Sequence, residues 1–138
     1  MALFLRVSAI LLMALGHAMA ETPAHHEFIL CGWDEVFILD GTDHPTSASG
    51  KIWSWRAKDR DDLPEEYHSL SDSTDECKPF DDGRKVLITS SGGAVAYVDR
   101  VLDRVLFYGL VANAHSADLL PGRRVAVAAS HRMAPGIV

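Results

Sequence analysis

Apolar positions fall along this chain in short bursts rather than long helical stretches. Phe28–Cys31, Val36–Leu39, Ile52–Trp55, Val86–Ile88, Ala94–Val98, Val105–Tyr108 and Val125–Ala129 are largely apolar, with Gly, Asp, Ser and Pro between them. Short runs rich in β-branched and aromatic side chains, bounded by turn residues, predict strands. One stretch fits two templates. Val98, Val101, Leu102, Val105 and Leu106 share a helical face, with Asp99, Arg100, Asp103 and Arg104 opposite, so in isolation it reads as an amphipathic helix. An internal repeat favours two strands with a turn between them.

Gly83-Arg84-Lys85-Val86-Leu87-Ile88-Thr89-Ser90-Ser91 returns 39 residues later as Gly122-Arg123-Arg124-Val125-Ala126-Val127-Ala128-Ala129-Ser130. A turn precedes each copy, Pro79–Asp82 and Leu119–Pro121, and the first copy continues through Gly92-Gly93 into Ala94–Asp99. Phe28–Asp40 has the same shape around Gly32-Trp33-Asp34. The unit is a turn, an apolar strand, a small-residue hairpin, a second strand ending in Asp, a third strand and a loop. Such a unit has two apolar faces and cannot bury both alone, whereas stacking copies around an axis buries them.

This pattern resembles the blades of β-propellers of the WD40 or YVTN type, over residues 27–133. Cys31–Asp40 and Asn113–Ser130 also resemble segments of a secreted bacterial propeller family with no assigned function. The resemblance implies an all-β chain of about two and a half blades, one spanning about 27–75, the next about 76–115 and a third from Ser116. A ring needs at least about four. The expectation is therefore an N-terminal fragment of a longer propeller, or copies that self-associate to complete a ring. A small β-sandwich is the alternative architecture.

Met1–Ala20 carries one charge, Arg6, then the apolar run Val7–Leu15 broken only by Ser8, and ends in Ala18-Met19-Ala20. This is the layout of a cleavable export signal, and the run is too short to span roughly 30 Å of hydrocarbon. The expected organisation is a signal peptide over 1–20 and a partial propeller domain over 21–138, secreted or periplasmic, with no membrane segment after cleavage. In an oxidising compartment Cys31 and Cys77 either pair or remain as two buried thiols. Pairing would contribute about 4 kcal/mol in the chain-entropy model. Cleavage removes Arg6 from 13 basic residues set against 19 acidic ones, so the net charge moves from −6 to −7. An acidic chain has no field to gather phosphates, so nucleic acid is not an expected partner.

The chemistry-bearing candidates are few. The blade resemblance places His115 in a loop before an innermost strand, facing the axial funnel where propeller ligands bind. With Asp118 three residues on, it is a candidate for acid–base work, and propeller sulfotransferases and pectate-type lyases use histidines in comparable places. The competing role for His115 is a hydrogen bond within or between blades. Trp53 and Trp55 share one strand face, as a sugar-stacking platform or as packing between blades, while Trp33 marks a hairpin tip. Lys58–Asp82 holds 10 acidic and 3 basic residues and reads as an inserted, solvated loop. Its Asp72, Asp75 and Glu76 offer carboxylates to Ca²⁺ but lack EF-hand or RTX spacing, so no metal site is assigned. His25-His26 belongs to a loose mature terminus. No Gly-x-Ser-x-Gly elbow, phosphate loop or His-Glu-x-x-His is present, so no cofactor is assigned. These readings point to an exported propeller module that binds a ligand or protein partner through its loops. The competing reading is a fragment of a propeller enzyme, of carbohydrate lyase or sulfotransferase type, with His115 at its site.

Overall fold

The computed structural model describes residues 26–41 and 50–130, without the side chains of Leu70 and Ser71. The expected signal peptide, His25 and the closing Met133–Val138 lie outside the described residues. Nine strands form three antiparallel sheets, each a meander in chain order. The first holds β1 (Glu27–Cys31), β2 (Val36–Asp40) and β3 (Lys51–Trp55). The second holds β4 (Thr74–Phe80), β5 (Lys85–Ser90), β6 (Ala94–Asp99) and β7 (Arg104–Leu110), and the third β8 (Ala114–Leu120) and β9 (Arg124–Ala129). Two short 3-10 segments, Ala57–Asp59 and Glu65–Ser71, lie between β3 and β4. Among the described residues there is no α-helix and no closed barrel, and the all-β arrangement is compatible with incomplete propeller blades.

The repeat carries through to three dimensions. β9 lies 39 residues after β5 at both ends. The turns before them use left-handed backbone at Asp81, Asp82 and Gly83, and at Gly122 and Arg123, where glycine avoids the Cβ clash. The ambiguous amphipathic stretch is strand, turn and strand. The buried Asp99 carboxylate accepts the N–H groups of Val101 at 3.0 Å and Leu102 at 2.9 Å. That capture of backbone donors by a local side chain closes a turn in place of a helix. Val101 and Leu102, two of the five residues of the supposed helical face, stay 67% and 51% exposed.

β5 and β6 are covered on both faces, which is why they read as unbroken apolar runs rather than alternating ones. Val86, Ile88, Ala94, Ala96 and Val98 pack toward Val36, Trp55, Ala57 and Leu63. Leu87 and Val95 pack toward Ala114, Ala117 and Val125. A disulfide joins Cys31 of β1 to Cys77 of β4, with Cα atoms 5.9 Å apart. Trp33, just after β1, meets Ser73 and Thr74 at the start of β4. Glu27 at the start of β1 pairs with Arg100, beyond the far end of β6, at 2.7 Å. β1 therefore runs antiparallel to β4, as β5 does, and β1–β3 correspond in direction to β5–β7. Among the described residues β1 has no preceding strand paired to it, whereas β5 has β4 and β9 has β8.

The edge strands β4 and β8 were not expected. Lys58–Asp82 is a loop only as far as Ser73, and Thr74–Phe80 then pairs along β5 from Thr74↔Ser90 to Phe80↔Lys85. The expected unit boundary at 75/76 thus falls inside β4, and His115, expected in a loop, lies within β8. The reason is physical. Thr-Asp-Glu-Cys-Lys-Pro-Phe and Ala-His-Ser-Ala-Asp-Leu-Leu have polar side chains along one rim of the sheets, so their strand pairing leaves no apolar signature.

Candidate functional site

Strand direction gathers one end of the molecule. β4 and β8 run in parallel, with His115 beside Asp75 and Asp118 beside Lys78. Their starts therefore meet the ends of β5 and β9. The β1–β2 hairpin reaches the same end, where the Trp33 carbonyl accepts the N–H groups of Ser73 at 2.9 Å and Thr74 at 3.3 Å.

Asp75 and His115 are both bulge residues. The β4–β5 register shifts between Thr74 and Glu76, and the β8–β9 register between Ala114 and Ser116. A bulge leaves one residue out of the ladder and re-aims its side chain, and here both side chains turn toward each other. His115 Nδ1 hydrogen-bonds Asp75 Oδ2, and His115 Nε2 lies 2.9 Å from Ser130 Oγ. Ser91 Oγ donates to the other Asp75 oxygen at 3.1 Å, and Asn113 Nδ2 donates to Ser130 Oγ. The partners assign the protons. A carboxylate only accepts, so Nδ1 carries the hydrogen. In the tautomer with its hydrogen on Nδ1 alone, Nε2 accepts from the Ser130 hydroxyl, whose oxygen accepts from Asn113.

A second polar group lies further along the same strands. Lys78 Nζ donates to Asp118 Oδ1 at 2.9 Å, the Ala117 carbonyl at 3.0 Å and Ser116 Oγ at 3.4 Å. Its other neighbour, Glu76, accepts the Ala117 N–H at 3.2 Å. The Asp118 hydrogen bond first, and the Glu76 hydrogen bond after desolvation, raise the lysine pKa above its ordinary value. His115 and Asp118 thus serve different partners. Three residues of strand separate them by about 10 Å, and the carboxylate bonded to the imidazole is Asp75 on the neighbouring sheet.

The other candidates sort by burial. Trp55 is 3% exposed in the core between the first two sheets, and Trp53 packs against that core. The exposed indole is Trp33, 75% exposed at the same end as His115. Asp34 and Glu35 beside it are held below the usual carboxylate range, chiefly by hydrogen bonds from Lys58 at 3.2 Å and Lys51 at 2.8 Å. Asp75 and Glu76 are engaged as described, and among the described residues no group of three or more His, Cys, Asp or Glu could hold a metal ion. No helix among the described residues is long and apolar enough to cross a membrane. A cavity of about 740 Å³ lies at the opposite end, lined by Tyr97, Phe107, Leu119, Leu120 and three arginines. It lies between the exposed β7 and the β8–β9 turn.

Sequence reasoning singled out His115 but not Asp75, Ser91 or Ser130 as its companions. The repeat held part of the signal: Ser91 and Ser130 lie 39 residues apart at corresponding ends of β5 and β9, whereas Asp75 and His115 lie 40 apart, because the turn after β4 is one residue longer than the turn after β8, and correspond only in the folded strands. Comparison with known proteins gives one finding. A family model described as "Family of unknown function (DUF6528)" matches residues 37–134. No curated protein and no solved structure matches the chain.

Proposed function

The chain belongs to that family of unknown function, whose match takes in Asp75, Ser91, Asn113, His115 and Ser130, and from this premise we propose an exported β-propeller module. It binds a ligand or partner at the end carrying Trp33 and the His115 cluster. The observation that carries this reading is the pair of bulges at Asp75 and His115, which spend ladder pairing to aim two polar side chains at one exposed rim. Trp33 adds an indole face, and the serines and Asn113 add donors and acceptors, a set suited to a polar, uncharged ligand. The leader pattern of residues 1–20 and the Cys31–Cys77 disulfide both fit export.

The test is ligand-detected NMR on the secreted chain against a panel of neutral oligosaccharides and short peptides. The expected result is binding that Trp33→Ala combined with Ser91→Ala weakens at least tenfold, and that Asp82→Ala at the opposite end leaves unchanged. No binding from the panel, or binding indifferent to the rim variants, overturns the reading.

A further inference from the structure

We propose that Asp75, His115 and Ser130 form a nucleophilic relay that hydrolyses uncharged carboxylic esters; this rests on the rim being the functional face. The contacts run in one sequence: Asp75 Oδ2 to His115 Nδ1, then His115 Nε2 to Ser130 Oγ at 2.9 Å. That is the arrangement in which a carboxylate orients an imidazole and the imidazole withdraws a proton from a hydroxyl. Three further observations favour chemistry over a simple tie between sheets. An inter-sheet tie needs only the Asp75–His115 bond, yet the far ring nitrogen is also engaged, by a hydroxyl. Asp75 and His115 are both bulge residues, and bulges re-aim side chains next to active sites. The group is also open to a substrate: the His115 side chain is 45% exposed and the Asp75 side chain 27%.

The repeat sharpens the assignment. Ser91 and Ser130 are corresponding residues, each bonded to the bulge residue of its own sheet. Ser91 faces a carboxylate, which holds its hydrogen. Ser130 faces an imidazole, which can take its hydrogen and return it. Only one of the two equivalent serines is thus built as a nucleophile.

The steps balance without a further reagent. Ser130 Oγ attacks the ester carbonyl carbon while its proton passes to His115 Nε2. The tetrahedral intermediate collapses, the bond to the alkoxide breaks, and the alkoxide leaves as an alcohol with the proton from Nε2. Water then attacks the acyl-serine, giving its proton to Nε2. The bond to Oγ breaks, Ser130 regains a proton from His115, and the carboxylic acid departs. Asp75 keeps Nδ1–H in place throughout and is not itself protonated.

The experiment uses the secreted chain with p-nitrophenyl acetate and a fluorophosphonate probe, the labelled residue being located by mass spectrometry. The expected label is on Ser130, with ester turnover lost in Ser130→Ala and reduced roughly 100-fold or more in His115→Ala. Ser130 is exposed, so its alanine variant keeps the fold, and Asp82→Ala, exposed at the opposite end, serves as the control that retains turnover. A label on another serine, no label, or equal turnover in wild type and Ser130→Ala overturns the relay. Oligosaccharide or peptide binding retained at the rim in that case leaves the binding reading standing, whereas its absence removes both.

Discussion

The four-stranded sheet meets its two neighbours in different ways. Toward β1–β3 the contact is mainly apolar, with Val86, Ile88, Ala94, Ala96 and Val98 packed on Val36, Trp55, Ala57 and Leu63; the Cys31–Cys77 bond crosses it, and the Glu27–Arg100 pair and the Trp33 carbonyl close its two ends. Toward β8–β9 the fully buried apolar part is smaller, Leu87 and Val95 against Ala114, Ala117 and Val125, with partly buried Phe80, Tyr97, Val111, Leu119 and Val127 around it. Polar contacts are added to it: Lys78 on Asp118, Glu76 on the Ala117 N–H, Asp75 on His115, and the Thr89 hydroxyl on the His115 carbonyl at 3.3 Å. The first seam concentrates stability. The second carries the imidazole and the exposed hydroxyls, and functional groups are drawn from the less stable parts of a fold.

The largest expected effect tests the first seam. Replacing Cys31 and Cys77 together by alanine should cost about 4 kcal/mol for a loop of this length, seen by calorimetry as a lower melting temperature of the whole chain. A fall confined to β8–β9 would contradict the division. Next come two neighbours on one strand. Ile88→Ala and Leu87→Ala each remove a buried aliphatic side chain and should cost about 3 kcal/mol, but they face opposite seams. Ile88→Ala should raise hydrogen exchange throughout the first two sheets. Leu87→Ala should release β8–β9 first while β1–β3 stay protected, and identical exchange patterns in the two variants would show that the seams are not distinct.

The same contrast decides what the sequence discloses. Strands covered on both faces, such as Val86–Ile88 and Ala94–Val98, are legible because burial demands apolar residues without interruption. β4 and β8 are illegible because their polar side chains line the second seam and the rim, and polarity there looks like a loop. His115 stood out by its residue type, its place in the blade resemblance and the nearby Asp118, which proves to serve Lys78 instead. Its partner Asp75 lies 40 residues away, brought near by two bulges, and no local spacing encodes a bulge. Trp55 and Trp33 are the same residue type with opposite fates. Only the packing between sheets, absent from any single strand's pattern, distinguishes the buried indole from the exposed one.

The smallest expected effect is a difference in pH response. In the first two sheets Glu35 is held low by the Lys51 hydrogen bond, Asp62 by that of Arg60, and Asp99 by the Leu102 N–H. A lowered carboxylate pKa gives stability that is present above the unfolded value near about 4 and is lost as pH falls below it. At the second seam the signs reverse. The Asp118 hydrogen bond raises Lys78, and burial raises Tyr97. Each binds its proton more tightly when folded, so the stability is present below unfolded values near about 10 and is lost as pH rises beyond them. Acid should therefore loosen the first two sheets and alkali should loosen β8–β9. Methyl NMR reads both without amide exchange, using Ile38 and Ile88 for the first seam and Val125 and Val127 for the second. Lys78→Met should remove part of the alkaline response and leave the part due to Tyr97. The change should be modest, because water screens the exposed Lys78–Asp118 pair. Alkaline broadening of Ile38 before Val125 would reverse the assignment of the weaker seam.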